Sequence, residues 1–165
     1  TPDSQGNASS GLFNPAVTLS MALRRYIPPL RCLAYMLAQV LGAIVGAALL
    51  LAVVGKGCAV GALQVGGKAS VGFGSRIVLH AILNGSLALL HLWSHQRFMF
   101  MAIPVLVGFA YIAFCLASAS PLGHDVPNPL RCSGLALVGA ASWDDVSANW
   151  LGAICGGLDE AQARE

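Results

Sequence analysis

Leu12-Phe13-Asn14-Pro15-Ala16-Val17-Thr18-Leu19-Ser20-Met21-Ala22-Leu23 is the stretch on which the fold turns. Asn is a strong N-cap. Proline suits the first helical position, where its missing N–H is no loss. The apolar run that follows stops at Arg24-Arg25, and Pro28-Pro29 forbids simple continuation. It is about ten residues long, half of the roughly 20 needed to cross a bilayer. The segment, expected over residues 15–25, reads as a half-helix that enters a membrane and does not leave on the other side.

The same device recurs downstream. Asp125-Val126-Pro127-Asn128-Pro129-Leu130-Arg131-Cys132-Ser133-Gly134-Leu135-Ala136-Leu137 places a second Asn-Pro ahead of a second short apolar run. Laid on the first without gaps, Asn14 and Asn128, Pro15 and Pro129, Ala22 and Ala136, and Leu23 and Leu137 coincide. Further on, Leu41-Gly42-Ala43-Ile44-Val45-Gly46-Ala47 is echoed by Leu151-Gly152-Ala153-Ile154-Cys155-Gly156-Gly157, with five of seven positions identical. Two matches in the same order indicate an internal duplication. Short apolar segments at corresponding places in two halves point to a transport site. The single domain, residues 1–165, is read as a first-repeat remainder over 1–54, a loop over 55–75 and a second repeat over 76–158.

Composition supports a membrane setting. The chain is 56% apolar and 10% charged, with 19 glycines, against roughly 25% charged in average soluble domains. Glycine in an apolar chain fits close helix packing in lipid. A net charge of +2 is too small to indicate a nucleic-acid partner. The five cysteines form no CxxC pair and lie mostly in apolar runs, so a disulfide framework is not expected. No secretory signal pattern opens the chain at Thr1-Pro2-Asp3-Ser4-Gln5.

Full spans are expected over residues 30–54, 76–94 and 99–119, the last with Pro104 near its start, where it is tolerable. Gly42 and Gly46 make a small-xxx-small face. His80, Asn84, His91 and His95 share one helical face, either lining a pore, bracing a loop, or making ordinary bundle contacts. His91 and His95 have metal-ligand spacing but no acidic or Cys partner nearby, so no metal site is expected. Asn7-Ala8-Ser9 and Asn84-Gly85-Ser86 fit the glycosylation pattern, but their places in a dipping loop and a span argue against use. A second half-helix is expected over 129–141, with Trp143-Asp144-Asp145 as an interfacial loop. The closing apolar stretch, Asn149 to Leu158, is too short to span. Arg24, Arg25, Arg31 and Arg97 against Lys56, Lys68 and Arg76 give only a small positive-inside bias.

Three stretches resemble the aquaporin (major intrinsic protein) family. Gly6-Asn7-Ala8-Ser9-Ser10-Gly11-Leu12-Phe13-Asn14-Pro15-Ala16-Val17-Thr18 looks like its first signature loop. Tyr35-Met36-Leu37-Ala38-Gln39-Val40-Leu41-Gly42-Ala43 looks like its third membrane helix. Asn128-Pro129-Leu130-Arg131, followed by Gly134, looks like its second signature loop, with Leu130 where the family has Ala. Cys132, where glycerol channels carry Asp, is closer to the water-selective branch.

The resemblance implies an all-α membrane protein: an aquaporin-like helical bundle with two re-entrant half-helices. It implies a passive channel for water, with other small neutral solutes as a further possibility. Two spans precede the first signature loop in the family. None stands there in this sequence, so the chain reads as a truncated member that lacks the first two spans and most of the last. The pore would be lined by Asn14, Pro15, Ala16, Asn128, Pro129 and Leu130. Arg131, Cys115 and Asp125 fall on selectivity-filter positions, and Gln39 and His80 on supporting ones. An Asp beside Arg131 would weaken cation exclusion. Leu130 is expected to crowd the contact between the half-helices, at about 1–3 kcal/mol.

Two half-helix N-termini, each carrying about half a positive charge, would meet at mid-membrane and repel cations and protons. The Asn14 and Asn128 amides would donate to a passing water, and an intramembrane Arg131 is a functional residue by default. Partners would be the lipid bilayer and water. A multi-pass homotetramer in the plasma membrane or an intracellular vesicle membrane is implied, with no cofactor and no enzymatic activity. The alternative is a non-conducting fragment that acts, if at all, as an assembly partner.

Overall fold

The computed structural model describes residues 12–63, 70–96, 103–122, 127–139 and 141–162. These form six helices: α1 (Pro15–Leu23), α2 (Pro29–Leu63), α3 (Phe73–Gln96), α4 (Ile103–Leu122), α5 (Pro129–Leu137) and α6 (Trp143–Gln162). The architecture is all-α, as expected from the apolar spans. Two helical stretches, Pro29–Gly57 and Phe73–Trp93, are long and apolar enough to cross a membrane, with mean hydropathies of 2.5 and 1.4. In α4 the apolar part is shorter, Val105–Ala119.

Several boundaries differ from the sequence reading, each for a local reason. The long span breaks at Gly55, whose backbone (φ 74°, ψ 163°) suits only glycine. Helix then resumes to Leu63 where a loop was expected, because no proline stands in this glycine-rich segment to prevent it. Ser120 and Pro121 belong to α4, not to the following loop. Pro104 does lie in the first turn of α4. At the start of α6, Trp143-Asp144-Asp145 is helical. The Ser142 hydroxyl accepts from Asp144 N at 3.1 Å, and Asp144 and Asp145 complement the positive end of the helix dipole. So α6 has 20 residues, twice the apolar stretch that was counted.

The two half-helices match in detail. Each is nine residues long, opens on an extended Asn whose side chain accepts from the backbone two residues on, and carries proline first. Both stop short of the expected ends. Arg24 N donates to Ser20 O and Arg25 N to Ala22 O; Val138 N donates to Gly134 O and Gly139 N to Ala136 O. Arg25 (φ 60°) and Gly139 (φ 74°) then turn left-handed and end the helix.

Packing follows from small residues. Helices α3 and α6 run parallel, and Gly152 and Gly156 press their backbone onto Ile77, His80, Ala81 and Gly85. Gly134 of α5 rests on the Ala43 backbone of α2 in the same way; a Cβ there would lie 2.5 Å from Ala43 O. Each half-helix is held by the same two long helices, α1 and α5 both packing on α2 and α6. In addition α3 covers α1 and α6, and α4 lies on α3. The main apolar core, built around Val17, Met21, Leu87, Ala88 and Leu92, joins α1 to α3, with Tyr111 and Phe114 of α4 beside it. Among the described residues no helix gives α2 and α5 a matching cover. Gly42 and Gly46, the counterparts of Gly152 and Gly156, have nothing within 4 Å.

Candidate functional site

The half-helices meet through their capping asparagines. Asn14 Oδ1 accepts from Ala16 N at 2.9 Å, and Asn128 Oδ1 accepts from Leu130 N at 3.1 Å. With each carbonyl used as a cap, each amide faces the other half-helix. Asn14 Nδ2 donates to Pro127 O at 2.8 Å, and Asn128 Nδ2 donates to Phe13 O at 2.9 Å. The exchange is reciprocal: the residue before each asparagine supplies the acceptor for the other one. Two helix N-termini are thereby pinned end to end, placing two partial positive charges at one point.

The asparagines are not equivalent. Asn14 is buried and its second amide hydrogen goes to Asn84 Oδ1 at 3.1 Å. Both its N–H bonds therefore end on protein. Asn128 is half-buried, and one of its amide hydrogens makes no bond among the described residues. Asn128 thus keeps an amide hydrogen for a further acceptor, whereas Asn14 spends both of its own on Pro127 and Asn84.

Supporting groups come from two helices. Gln39 of α2 donates from Nε2 to Leu12 O at 2.7 Å and to Thr18 Oγ1 at 2.8 Å. Thr18 Oγ1 in turn donates to Asn14 O at 3.0 Å. On the opposite side, Asn84 Nδ2 donates to His80 O at 2.9 Å while its carbonyl holds Asn14. His80 is fully buried, against Gly152. Its side chain sits a turn away from the brace. Asn84, visible in the sequence only as a member of the polar stripe, braces Asn14 directly.

Two cavities flank the junction, and Phe13 and Asn128 border both. One, about 710 Å³, is an open groove between α2 and α5, bordered by Tyr35, Gln39, Gly42, Gly46, Leu130 and Arg131. The other, about 260 Å³, lies between the junction and the α3–α4 pair.

Of the remaining sequence-derived candidates, Leu130 and Arg131 border the first of these spaces, and Pro15, Ala16, Pro129 and Cys115 are not among the residues lining either. Pro15, Ala16 and Pro129 are buried in the first turns of the half-helices. Arg131 is half-buried on the first turn of α5 and borders the α2 groove. Leu130 is buried and borders the same groove. Its bulk is taken up beside the small residues of α2, and the half-helix junction is made by Phe13, Asn14, Pro127 and Asn128 instead. Cys115 is half-buried on α4. Asp125 lies outside the described residues, as do Asn7 and Arg97.

Comparison with known proteins follows this geometry. A family model described as Major intrinsic protein matches residues 3–161. Aquaporin-8 of Notomys alexis is 31% identical over 160 residues, covering 93% of this chain and 60% of the relative. Aquaporin PIP2-7 of Musa acuminata is 30% identical over 167 residues, covering 93% and 57%. Aquaporin TIP4-4 of Zea mays is 35% identical over 156 residues, covering 92% and 60%. The chain thus spans about three fifths of the length of the curated relatives it matches.

Proposed function

The chain belongs to the major intrinsic protein family, and from that membership we propose that it forms the half-helix core of a passive membrane channel for water and other small neutral solutes. The observation that carries this reading is the reciprocal clasp of Asn14 and Asn128. It fixes two helix N-termini face to face and leaves one Asn128 amide hydrogen directed at the space beside them.

The mechanism needs no chemistry beyond hydrogen bonding and fixed dipoles. Irregular backbone at membrane depth is tolerated where it lines a water-filled cavity. A water oxygen beside Asn128 accepts its N–H and must turn its own hydrogens away, which interrupts a continuous hydrogen-bonded file. The paired helix N-termini disfavour cations at the same level. Arg131, one turn along α5, adds a full positive charge at the groove and serves as the filter residue, with Cys115 and Asp125 as the further filter positions. Residues 1–54 and 76–158 act as two repeats that each contribute one half-helix. In this reading the protein is multi-pass in the plasma membrane or a vesicle membrane and assembles as a homotetramer.

A second reading is favoured by the open α2 groove. Gly42, Gly46 and Arg131 border it without a covering helix among the described residues. In that reading the chain serves as an assembly element and does not conduct alone.

Stopped-flow light scattering on proteoliposomes tests both. The channel reading expects osmotic shrinkage well above that of empty liposomes, lost in an Asn128→Ala plus Arg131→Ala variant that still inserts. Shrinkage equal to empty liposomes, with the chain shown to be inserted, supports the assembly reading and defeats autonomous conduction.

A further inference from the structure

Val107, Tyr111 and Cys115 recur every four residues and share one face of α4. Val107 and Tyr111 border the cavity of about 260 Å³, opposite Asn14, Val17 and Asn128, with His91 of α3 closing the side. Tyr111 brings an aromatic hydroxyl and His91 an imidazole to the border of this cavity.

The hydrogen bonds say what each group can offer. Asn14 has both amide hydrogens on protein acceptors, and Tyr111 borders the same cavity as Asn14 and Asn128. The Tyr111 ring therefore shares the space beside the clasp. His91 Nδ1 lies 2.9 Å from Leu87 O, which can only accept, so Nδ1 donates to it. The polar groups presented to the cavity are thus an amide N–H from Asn128, a phenol from Tyr111 and an imidazole from His91. The rest of its border is apolar, from Phe13, Val17 and Val107.

We propose that Tyr111 and His91 are specificity-determining residues: the Tyr111 ring sets the width of the solute path beside the asparagine clasp, and His91 supplies its polar wall. The proposal rests on the channel reading, but its test does not require flux. In a variant with Cys32, Cys58, Cys115, Cys132 and Cys155 replaced by serine, His91→Cys is introduced and the protein reconstituted in liposomes. Leu116→Cys, at an α4 position whose leucine is 74% exposed, is the lipid-facing control. Modification rates are measured with a small and a bulky charged methanethiosulfonate.

The small reagent should modify His91→Cys at least about tenfold faster than Leu116→Cys, the rate ratio of a barrier difference of about 1.4 kcal/mol. The bulky reagent should be excluded while Tyr111 is present, and should gain at least about tenfold when Tyr111→Val is added. Tyr111→Phe, which keeps the ring, should maintain the exclusion and serves as the readout if Tyr111→Val does not fold. Equal rates at the two cysteines overturn the proposal. So does a bulky-reagent rate unmoved by Tyr111→Val, or one raised by Tyr111→Phe. Parent liposomes without water flux defeat autonomous conduction, and the labelling rates still decide the lining.

Discussion

Replacing Gly156 by alanine should destabilise the bundle, whereas the same change at its counterpart Gly46 should not. A Cβ on Gly156 would stand 2.8 Å from Gly85 N and closer still to Ala81 O. Both neighbours are backbone of α3, so neither can rotate away, and the two helices must part. Overpacking of this kind typically costs about 1–3 kcal/mol. At Gly46 nothing lies within 4 Å, and alanine gains up to about 1 kcal/mol in helix propensity. The paired variants should therefore differ by about 1–4 kcal/mol, although their local sequences are nearly the same. Gly152→Ala and Gly42→Ala repeat the comparison. The assay is reversible unfolding in mixed micelles, followed by tryptophan fluorescence and circular dichroism. Equal shifts for Gly156→Ala and Gly46→Ala would refute the claim that the α3–α6 seam is closed and the α2 face open.

Asn84→Leu should cost about 1–3 kcal/mol in the same assay, because it leaves a buried Asn14 N–H without its acceptor. Arg25→Gly should stabilise by up to about 1 kcal/mol: it relieves left-handed strain of about 1–2 kcal/mol and adds back about 0.4–1 kcal/mol of unfolded-chain freedom. Gly139→Ala, at the equivalent turn, should destabilise. Arg76 pairs with Asp145 across the starts of α3 and α6 and lies 5.4 Å from the Phe73 ring centroid. Arg76→Ala should cost no more than about 1 kcal/mol, and less at high salt, as measured by unfolding at two ionic strengths.

Legibility in the sequence followed the range of the interactions. Asn-Pro starts were readable because capping and proline geometry are local, and α1 and α5 begin where those rules put them. Their ends were misjudged by two and four residues. Hydropathy carried on past the point where Arg25 and Gly139 adopt left-handed backbone. For α6, counting apolar residues missed a first turn built from polar ones, since capping by Ser142 and paired aspartates leaves no hydrophobic signal. Gln39 was found by resemblance, and the structure joins it to Leu12 and Thr18. Asn84 showed only as part of a stripe, because its partner Asn14 is 70 residues away. Tyr111 gave no signal, as an aromatic residue in an apolar span reads as core.

By itself, the sequence determined the helical class, the two proline-led half-helices and the small-residue faces, because each depends on neighbours within about one or two helical turns. Only the tertiary structure decided how those pieces differ from one another. Asn14 and Asn128 have the same local sequence rules, yet Asn84 reaches one and no equivalent brace reaches the other among the described residues. Gly156 and Gly46 lie in near-identical segments, yet one is pressed against α3 and the other borders an open groove. A local pattern specifies what a residue can bond or pack against; which partner arrives is set by chain distant in sequence and is fixed only when the helices dock.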